Sequence, residues 1–278
     1  MVSKFETKRI SPAKDGRGDY AVGMPPRVPY LVGLRTVPER LPEERSFPFN
    51  LSFLPNLDLR FNSPVAFFVG ENGTGKSTLM EAIAVLCRLP VSGGSRSELA
   101  DSHGPEKESP LSRVIRPAFQ QQPRDGFFLR AEFAAHFASL LEDREKDPDF
   151  LGNPYSSYGG RSLHRRSHGE AFLAILQNRF QKGLFLLDEP ESALSPQRQL
   201  ALLTLIYDLV GTGESQFLIA SHSPILMTYP NAQIISFDDQ NLRQIPVEDT
   251  SHFQITRGIL ENPEGYWKYL SESDETKL

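Results

Sequence analysis

The sequence predicts an α/β protein with a mostly parallel sheet covered by helices on both faces, and three observations carry that expectation. The runs VAFFV (Val65–Val69), LFLL (Leu184–Leu187) and FLIA (Phe217–Ala220) are continuously apolar, as strands are when both faces are buried. Between them lie segments with apolar residues at i, i+3, i+4 and i+7: Leu79, Ala82, Ile83, Leu86, and again Leu202, Leu205, Ile206, Leu209. Finally, GENGTGKST (Gly70–Thr78) fits the pattern G-x-x-x-x-G-K-[ST] at the junction of the first such strand and the first such helix.

Taken in order, residues 1–28 are polar with Pro and Gly clusters and read as a flexible arm. YLVGLRTV (Tyr30–Val37) and LDLRF (Leu57–Phe61) read as strands and form an N-terminal antiparallel β part ahead of the phosphate loop and its helix. Residues 89–125 open with LPVSGGSRSELADSHGPEKESP, rich in Ser, Gly, Pro and charge, and are expected to be a surface insertion. GFFLRAEF (Gly126–Phe133) resumes as a strand and begins a helical region, 126–182, that contains the loop NPYSSYGGRSLHRRSHGE. GLFLLDEP is a buried strand. Pro196 suits the first turn of the next helix. QFLIASHS, AQIISFD and LRQIPVE are three further strands, and 251–278 is a helical tail. The whole chain, 1–278, is expected to be a single domain.

Bulk properties exclude several classes. The formal net charge of -5 gives no global basic surface for nucleic acid, so contact with an acidic polymer would need a local patch. The single cysteine, Cys87, rules out an internal disulfide and reads as a packed core thiol in a reducing, cytoplasmic setting. The N-terminus has no apolar signal region. No apolar run approaches the ~18 residues of a membrane helix. There is no internal repeat and no long heptad run between Lys76 and Ser167.

Four motifs carry chemistry. In the first, Gly73 and Gly75 let successive backbone N–H groups turn inward towards a phosphate, and the following helix adds its positive dipole end. Lys76 would reach the β and γ oxygens and the Ser77 hydroxyl would sit on Mg²⁺. The nucleotide-binding set is Gly70, Asn72, Gly73, Thr74, Gly75, Lys76, Ser77 and Thr78. In the second, Asp188 and Glu189 end an apolar strand, at the sheet edge where ligands bind. Asp188 would hold Mg²⁺ and Glu189 would deprotonate an attacking water. In the third, His222 ends a strand one helix later, so its strand could neighbour the acidic one and bring it within reach of a γ-phosphate. The fourth is RRSHGE (Arg165–Glu170), where Ser167 and Gly169 open a helix and could offer a hydroxyl and N–H groups to a phosphate. Alone, SHGE reads as a helix cap with an acidic first turn.

In this order the motifs resemble those of the ATP-binding cassette ATPases: phosphate loop, signature, acidic strand, switch histidine. The resemblance runs from about Tyr30 to Asp238. It implies that two protomers sandwich two ATP molecules, that Ser167 and Gly169 reach the partner's γ-phosphate, and that SALS (Ser192–Ser195) links the two sites. Two departures stand out. The signature reads Arg166-Ser-His-Gly-Glu where the family commonly has Leu-Ser-Gly-Gly-Gln. The glutamine-loop position is open among Gln120, Gln121, Gln122 and Glu132. GENGTGKSTLMEAIA, FFLRAEF, GGRSLHRRSHGEAFLAIL, LDEPESALSPQRQLALL and ASHSPILMTYP are more closely similar to soluble, stand-alone bacterial proteins grouped as AAA-type predicted ATPases. The heads of SMC and DNA-repair ATPases are more distantly similar. Tyr30, Phe47 and Phe49 are candidates to stack on adenine.

The expected function is therefore Mg-dependent ATP hydrolysis by a head-to-tail sandwich homodimer, coupled to work on a macromolecule in DNA repair or genome defence. Arg161, Arg165 and Arg166, with Arg113, Arg116 and Arg124, supply local positive charge for a DNA partner. The alternative is a slow nucleotide-gated switch that acts on a protein partner. A transporter subunit fits SHGE and the long N-terminal strand region less well. A small-molecule kinase would have no use for Glu189 and Ser167 together.

Overall fold

The computed structural model describes residues 28–95, 109–130, 145–146, 152–153, 155 and 168–275. Among the described residues there are ten strands: β1 (Leu31–Thr36), β2 (Asp58–Arg60), β3 (Val65–Val69), β4 (Gly94–Ser95), β5 (Ile115–Phe119), β6 (Gly126–Arg130), β7 (Gly183–Asp188), β8 (Ser215–Ala220), β9 (Gln233–Ser236) and β10 (Arg243–Gln244). The helices are α1 (Lys76–Leu86), α2 (His168–Arg179), α3 (Pro196–Gly211), α4 (Pro224–Met227), α5 (Ser251–Glu261) and α6 (Pro263–Glu275).

A seven-stranded sheet runs in the order β10-β9-β3-β8-β7-β6-β4. Its five inner strands are parallel, and the edge strands β10 and β4 are antiparallel. Successive side chains of a strand point to opposite faces, and here both faces are apolar. Val65, Phe67 and Val69, with Phe185, Leu187, Phe217 and Ile219, pack into one core together with residues of α2, α3 and α4. Ala66 and Phe68, with Leu184, Leu186, Leu218 and Ala220, pack into the other under α1. The continuous apolar runs of the sequence thus have the reason expected of them.

The second core is closed by a small antiparallel sheet, β2-β1-β5. Two glutamines join the sheets. Gln216 on β8 accepts from Leu31 N and donates to Leu31 O, both at 2.9 Å. Gln233 on β9 donates to Arg60 O at 2.7 Å. These side chains use both ends of the amide to satisfy the start of β1 and the end of β2, Gln233 also accepting from Asn62 N at 3.2 Å, which is why polar residues stand in otherwise apolar strands.

The stretch 89–125 departs from the expected surface insertion. Leu89 and Val91 are buried, β4 pairs with β6 at the sheet edge, and β5 is a full partner of β1. Its Ser, Gly and Pro content hid two short strands, and residues 96–108 lie outside the description. Cys87 is buried as the residue that caps the C-terminus of α1. Among the described residues no helix is long and apolar enough to cross a membrane.

Candidate nucleotide site

Five inner strands end at the same edge of the sheet, and each delivers a polar group there. The loop after β3 is the centre. Gly73 has φ +82° and Gly75 φ +96°, the left-handed region that glycine enters without steric cost. Gly75 is fixed by space as well, because a Cβ there would stand 2.8 Å from Leu51 Cδ2 and 3.0 Å from Phe53 Cε1. The loop therefore rests on the apolar core that the small sheet closes. Lys76 is buried at the start of α1, and its ammonium donates to Gly70 O at 2.6 Å and Glu71 O at 2.8 Å. Burial pulls its pKa down from the ordinary lysine value, against the opposing pull of Glu189, Asp238, Asp188 and Glu71.

Asp188 ends β7 and accepts from the Ser77 hydroxyl at 3.0 Å. Its other oxygen lies 3.6 Å from Arg130 Nε, while Arg130 Nη1 donates to Glu81 at 2.8 Å. Burial raises the Asp188 pKa, and Arg130 and Ser77 hold the charged form against it. Glu189 follows at φ +49°, ψ +51° and donates its N–H to Ala220 O at 2.9 Å. That bond extends the β7–β8 pairing by one residue and swings the Glu189 side chain out of the strand direction.

Beyond β8, His222 places Nε2 at 3.6 Å from Glu189 Oε1. β7 and β8 are parallel neighbours, with Asp188 in register with Ala220, as the spacing of the two motifs predicts. His222 N–H donates to Glu191 Oε1 at 2.5 Å. Glu191 is half-buried, and burial raises its pKa. The His222 pKa is lowered, first by burial, then by the charge of Lys76 and by His252, with Glu189 and Glu71 acting the other way. Ser223 caps α4 and donates to Gln199 Oε1 at 2.5 Å, and Gln199 donates to Leu194 O at 3.1 Å. The segment Ser192–Ser195 and the histidine loop are therefore tied by two side chains, Glu191 and Gln199.

The structure brings together Gly70, Asn72, Gly73, Thr74, Gly75, Lys76, Ser77, Thr78, Asp188, Glu189 and His222 at this edge. Ser167 lies outside the described residues, as do Arg161, Arg165, Arg166 and Glu132. Gly169 is in the first turn of α2, which packs against α3 and the turn Pro190–Ala193. Two sets of candidates are corrected. Gln121 and Gln122 line a hollow with Tyr30, Lys182, Gly183 and Glu214 at the starts of β7 and β8, the opposite edge of the sheet. Gln120 N bonds Tyr30 O beside them, so none of the three reaches the phosphate loop. Tyr30 is buried there, its hydroxyl on Glu214 O, and is no adenine contact. Phe49 is packed against the core, whereas Phe47 is 68% exposed, four residues before the Leu51 that underlies Gly75.

Four participants were not foreseen. Arg130 and Glu81 pair beside Asp188. Asp238, after β9, accepts from Glu71 N at 2.8 Å and closes the entrance of the loop. His252, on α5, meets the His222 ring. Arg130 did leave a signal: β6 and β7 are apolar runs that each end on a charge, and register sets Arg130 opposite Asp188.

The donor set suits the groups it would hold. Ser77 and Asp188 offer hard oxygens, and no cluster of three His, Cys, Asp or Glu exists among the described residues. Hard oxygens of that kind suit Mg²⁺, which keeps waters and shares substrate phosphates.

Parts of the chain are similar to known proteins. A family model described as "AAA domain" matches residues 45–124, and one described as "AAA domain, putative AbiEii toxin, Type IV TA system" matches residues 132–228. The translation initiation factor RLI1 of Saccharomyces cerevisiae is 25% identical over 178 residues, covering 64% of this chain and 27% of that protein. This chain thus spans about a quarter of RLI1's length. The petrobactin import ATP-binding protein FpuD of Bacillus anthracis is 24% identical over 189 residues, covering 64% of this chain and 69% of that protein. Among solved structures, cbiO1 of Clostridium perfringens, part of the ABC transporter complex cbiONQ, has a TM-score of 0.46 at 15% identity over 87% of this chain and 99% of that one. The SMC head domain of Thermotoga maritima has a TM-score of 0.39 at 13% identity over 78% and 98%. The first AAA match contains the phosphate loop and the second contains Asp188, Glu189 and His222, and together they support an AAA-type, ATP-hydrolysing enzyme.

Proposed function

We propose that the chain hydrolyses ATP to ADP and phosphate at this edge, as half of a two-fold homodimer whose closure acts on another macromolecule. The observation that carries the hydrolytic part is the convergence of three loops: Ser77 on Asp188 at 3.0 Å, and Glu189 facing His222 at 3.6 Å. The loop N–H groups and Lys76 bind the β- and γ-phosphates, Lys76 leaving its two carbonyl partners for phosphate oxygens. Mg²⁺ held by Ser77 and Asp188 would supply positive charge to the phosphate oxygens. Glu189 takes a proton from water as the water oxygen bonds the γ-phosphorus and the bond to the bridging oxygen breaks, leaving on ADP. His222 donates from Nε2 to a γ-phosphate oxygen and orients it. Phe47 is the aromatic best exposed to stack on adenine.

The homodimer rests on the signature position. Ser167 and the N–H groups at the start of α2 would complete the γ-phosphate site of a second copy. The nature of the macromolecular partner rests on the tail. Ile255, Ile259, Leu260, Trp267, Tyr269 and Leu270 are exposed on α5 and α6, and acidic residues outnumber basic ones there. Those features favour a protein over DNA as partner, and with it the nucleotide-gated switch. Binding to DNA would show itself in a steep salt dependence.

Calorimetry with Mg-ATP and steady-state turnover test the hydrolytic reading. Lys76→Ala should lose tight ATP binding while keeping the fold. Glu189→Gln should bind ATP normally and turn over slower by ~10²–10⁴. Equal affinity in the first or near-wild-type turnover in the second would overturn these roles.

A further inference from the structure

His222 is held by a residue outside all of the ATPase motifs. Its Nδ1 lies 2.8 Å from Nε2 of His252, with the rings 4.8 Å apart and tilted by 57°. His252 is the second residue of α5. Its placement is firm, because Thr250 is buried and caps the helix by accepting from Phe253 N at 3.3 Å while its hydroxyl donates to Val247 O at 2.7 Å.

Two imidazole nitrogens at 2.8 Å share one proton: one donates and the other accepts. The far ends of the two rings decide which. His222 Nε2 is buried, has no hydrogen-bond partner among the described residues, and faces the Glu189 carboxylate. An N–H at that position is attracted to the carboxylate, whereas a lone pair would be repelled. On the other ring, His252 Nδ1 lies 3.5 Å from the Ser251 hydroxyl, which can donate to it. A single direction satisfies both ends: Ser251 Oγ–H towards His252 Nδ1, His252 Nε2–H to His222 Nδ1, and His222 Nε2–H towards Glu189. Reversing it leaves a lone pair on His222 Nε2 against a carboxylate oxygen.

We propose that His252 is a positioning residue for ATP hydrolysis: by donating to Nδ1 of His222 it fixes the tautomer that carries its proton on Nε2, aimed at Glu189 and the terminal phosphate. The proposal rests on the hydrolytic reading given above. It also means that the C-terminal helical tail holds part of the site through its first turn. A second-row hydrogen bond of this kind commonly sets which ring nitrogen of a histidine acts.

Nitrogen NMR of the full chain labelled at histidine, with His222→Gln to assign the signals, reads the tautomer directly and needs no turnover. The nucleotide-free protein should show His222 protonated at Nε2 and unprotonated at Nδ1. His252→Gln keeps an N–H donor at similar reach and should keep that tautomer. His252→Glu replaces the donor with an acceptor and should move the proton to Nδ1. In turnover, His252→Gln should stay near wild type, while His252→Glu should lose ~10²-fold in kcat with little change in KM for ATP. A wild-type His222 protonated at Nδ1, or a tautomer indifferent to His252→Glu, overturns the proposal, and the wild-type spectrum decides even if a variant fails to fold. Should the tautomer follow the prediction while wild type shows no ATP turnover, the positioning holds and the hydrolytic reading fails.

Discussion

Glu189 is held at φ +49°, a conformation that costs a residue with a side chain about 1–2 kcal/mol. The strain is maintained by its N–H bond to Ala220 and is the means by which a carboxylate leaves the strand direction and faces His222. Glu189→Gly should therefore raise stability by about 0.5–1 kcal/mol after glycine's larger chain entropy is subtracted, while abolishing turnover. Thermal melts and a phosphate-release assay read the two effects separately, and a destabilised glycine variant would mean that the left-handed turn is unstrained. Asp188 makes a related trade. Its carboxylate is buried and held charged by Arg130 and Ser77, so folding bears a desolvation cost that the proposed Mg²⁺ role requires. Asp188→Asn should melt higher in the absence of nucleotide, by about 0.5–2 kcal/mol, and lose Mg-dependent turnover.

At the scale of elements, the loops matter through their ties to one another. Glu191 sits in the turn Pro190–Ala193 and receives the His222 N–H at 2.5 Å. Glu191→Ala would leave that buried donor without its acceptor, and about 1–3 kcal/mol of stability should go with it. Turnover should fall more than ATP affinity, since the phosphate loop itself is untouched; an equal loss in both would show that Glu191 supports the loop instead. The strands and principal helices were legible because uniform apolar runs and a 3.6-residue period are strong local signals, and so was the meeting of Lys76, Ser77, Asp188, Glu189 and His222 at one sheet edge, because their motifs are contiguous with those runs. What stayed hidden depends on distance along the chain. His252 stands 30 residues from His222, and Asp238 stands 167 from Glu71. Tyr30 and Gln120–Gln122 misled because a residue type does not reveal which end of a sheet it will occupy. The two-residue strand β4 is too short to show a period.

For the whole molecule, a ligand moves an equilibrium only through contacts that differ between its two states. If Ser167 completes the site of a second copy, ATP should favour the dimer and ADP should not, because only ATP has the γ-phosphate. Glu189→Gln should sediment as a dimer with Mg-ATP and mostly as a monomer with Mg-ADP. Adding Ser167→Arg should remove the ATP-dependent dimer and leave ATP binding nearly unchanged. A monomer in all four conditions would make SHGE a helix cap and nothing more.

The phosphate loop has an apolar floor, with Leu51 and Phe53 directly beneath Gly75. Those residues belong to the same core as β1, β2 and α1. The loop's amides cannot be released to solvent by a flicker of the loop alone, because its underside has no room to sink and its entrance is pinned by Asp238. Opening requires the 51–61 segment to lift, and the small sheet lifts with it. In hydrogen exchange the phosphate loop and the N-terminal layer should therefore belong to one cooperative unit, slower than the exposed tail. The part of the chain that looks like an accessory to the nucleotide-binding sheet then sets how often its phosphate loop comes apart.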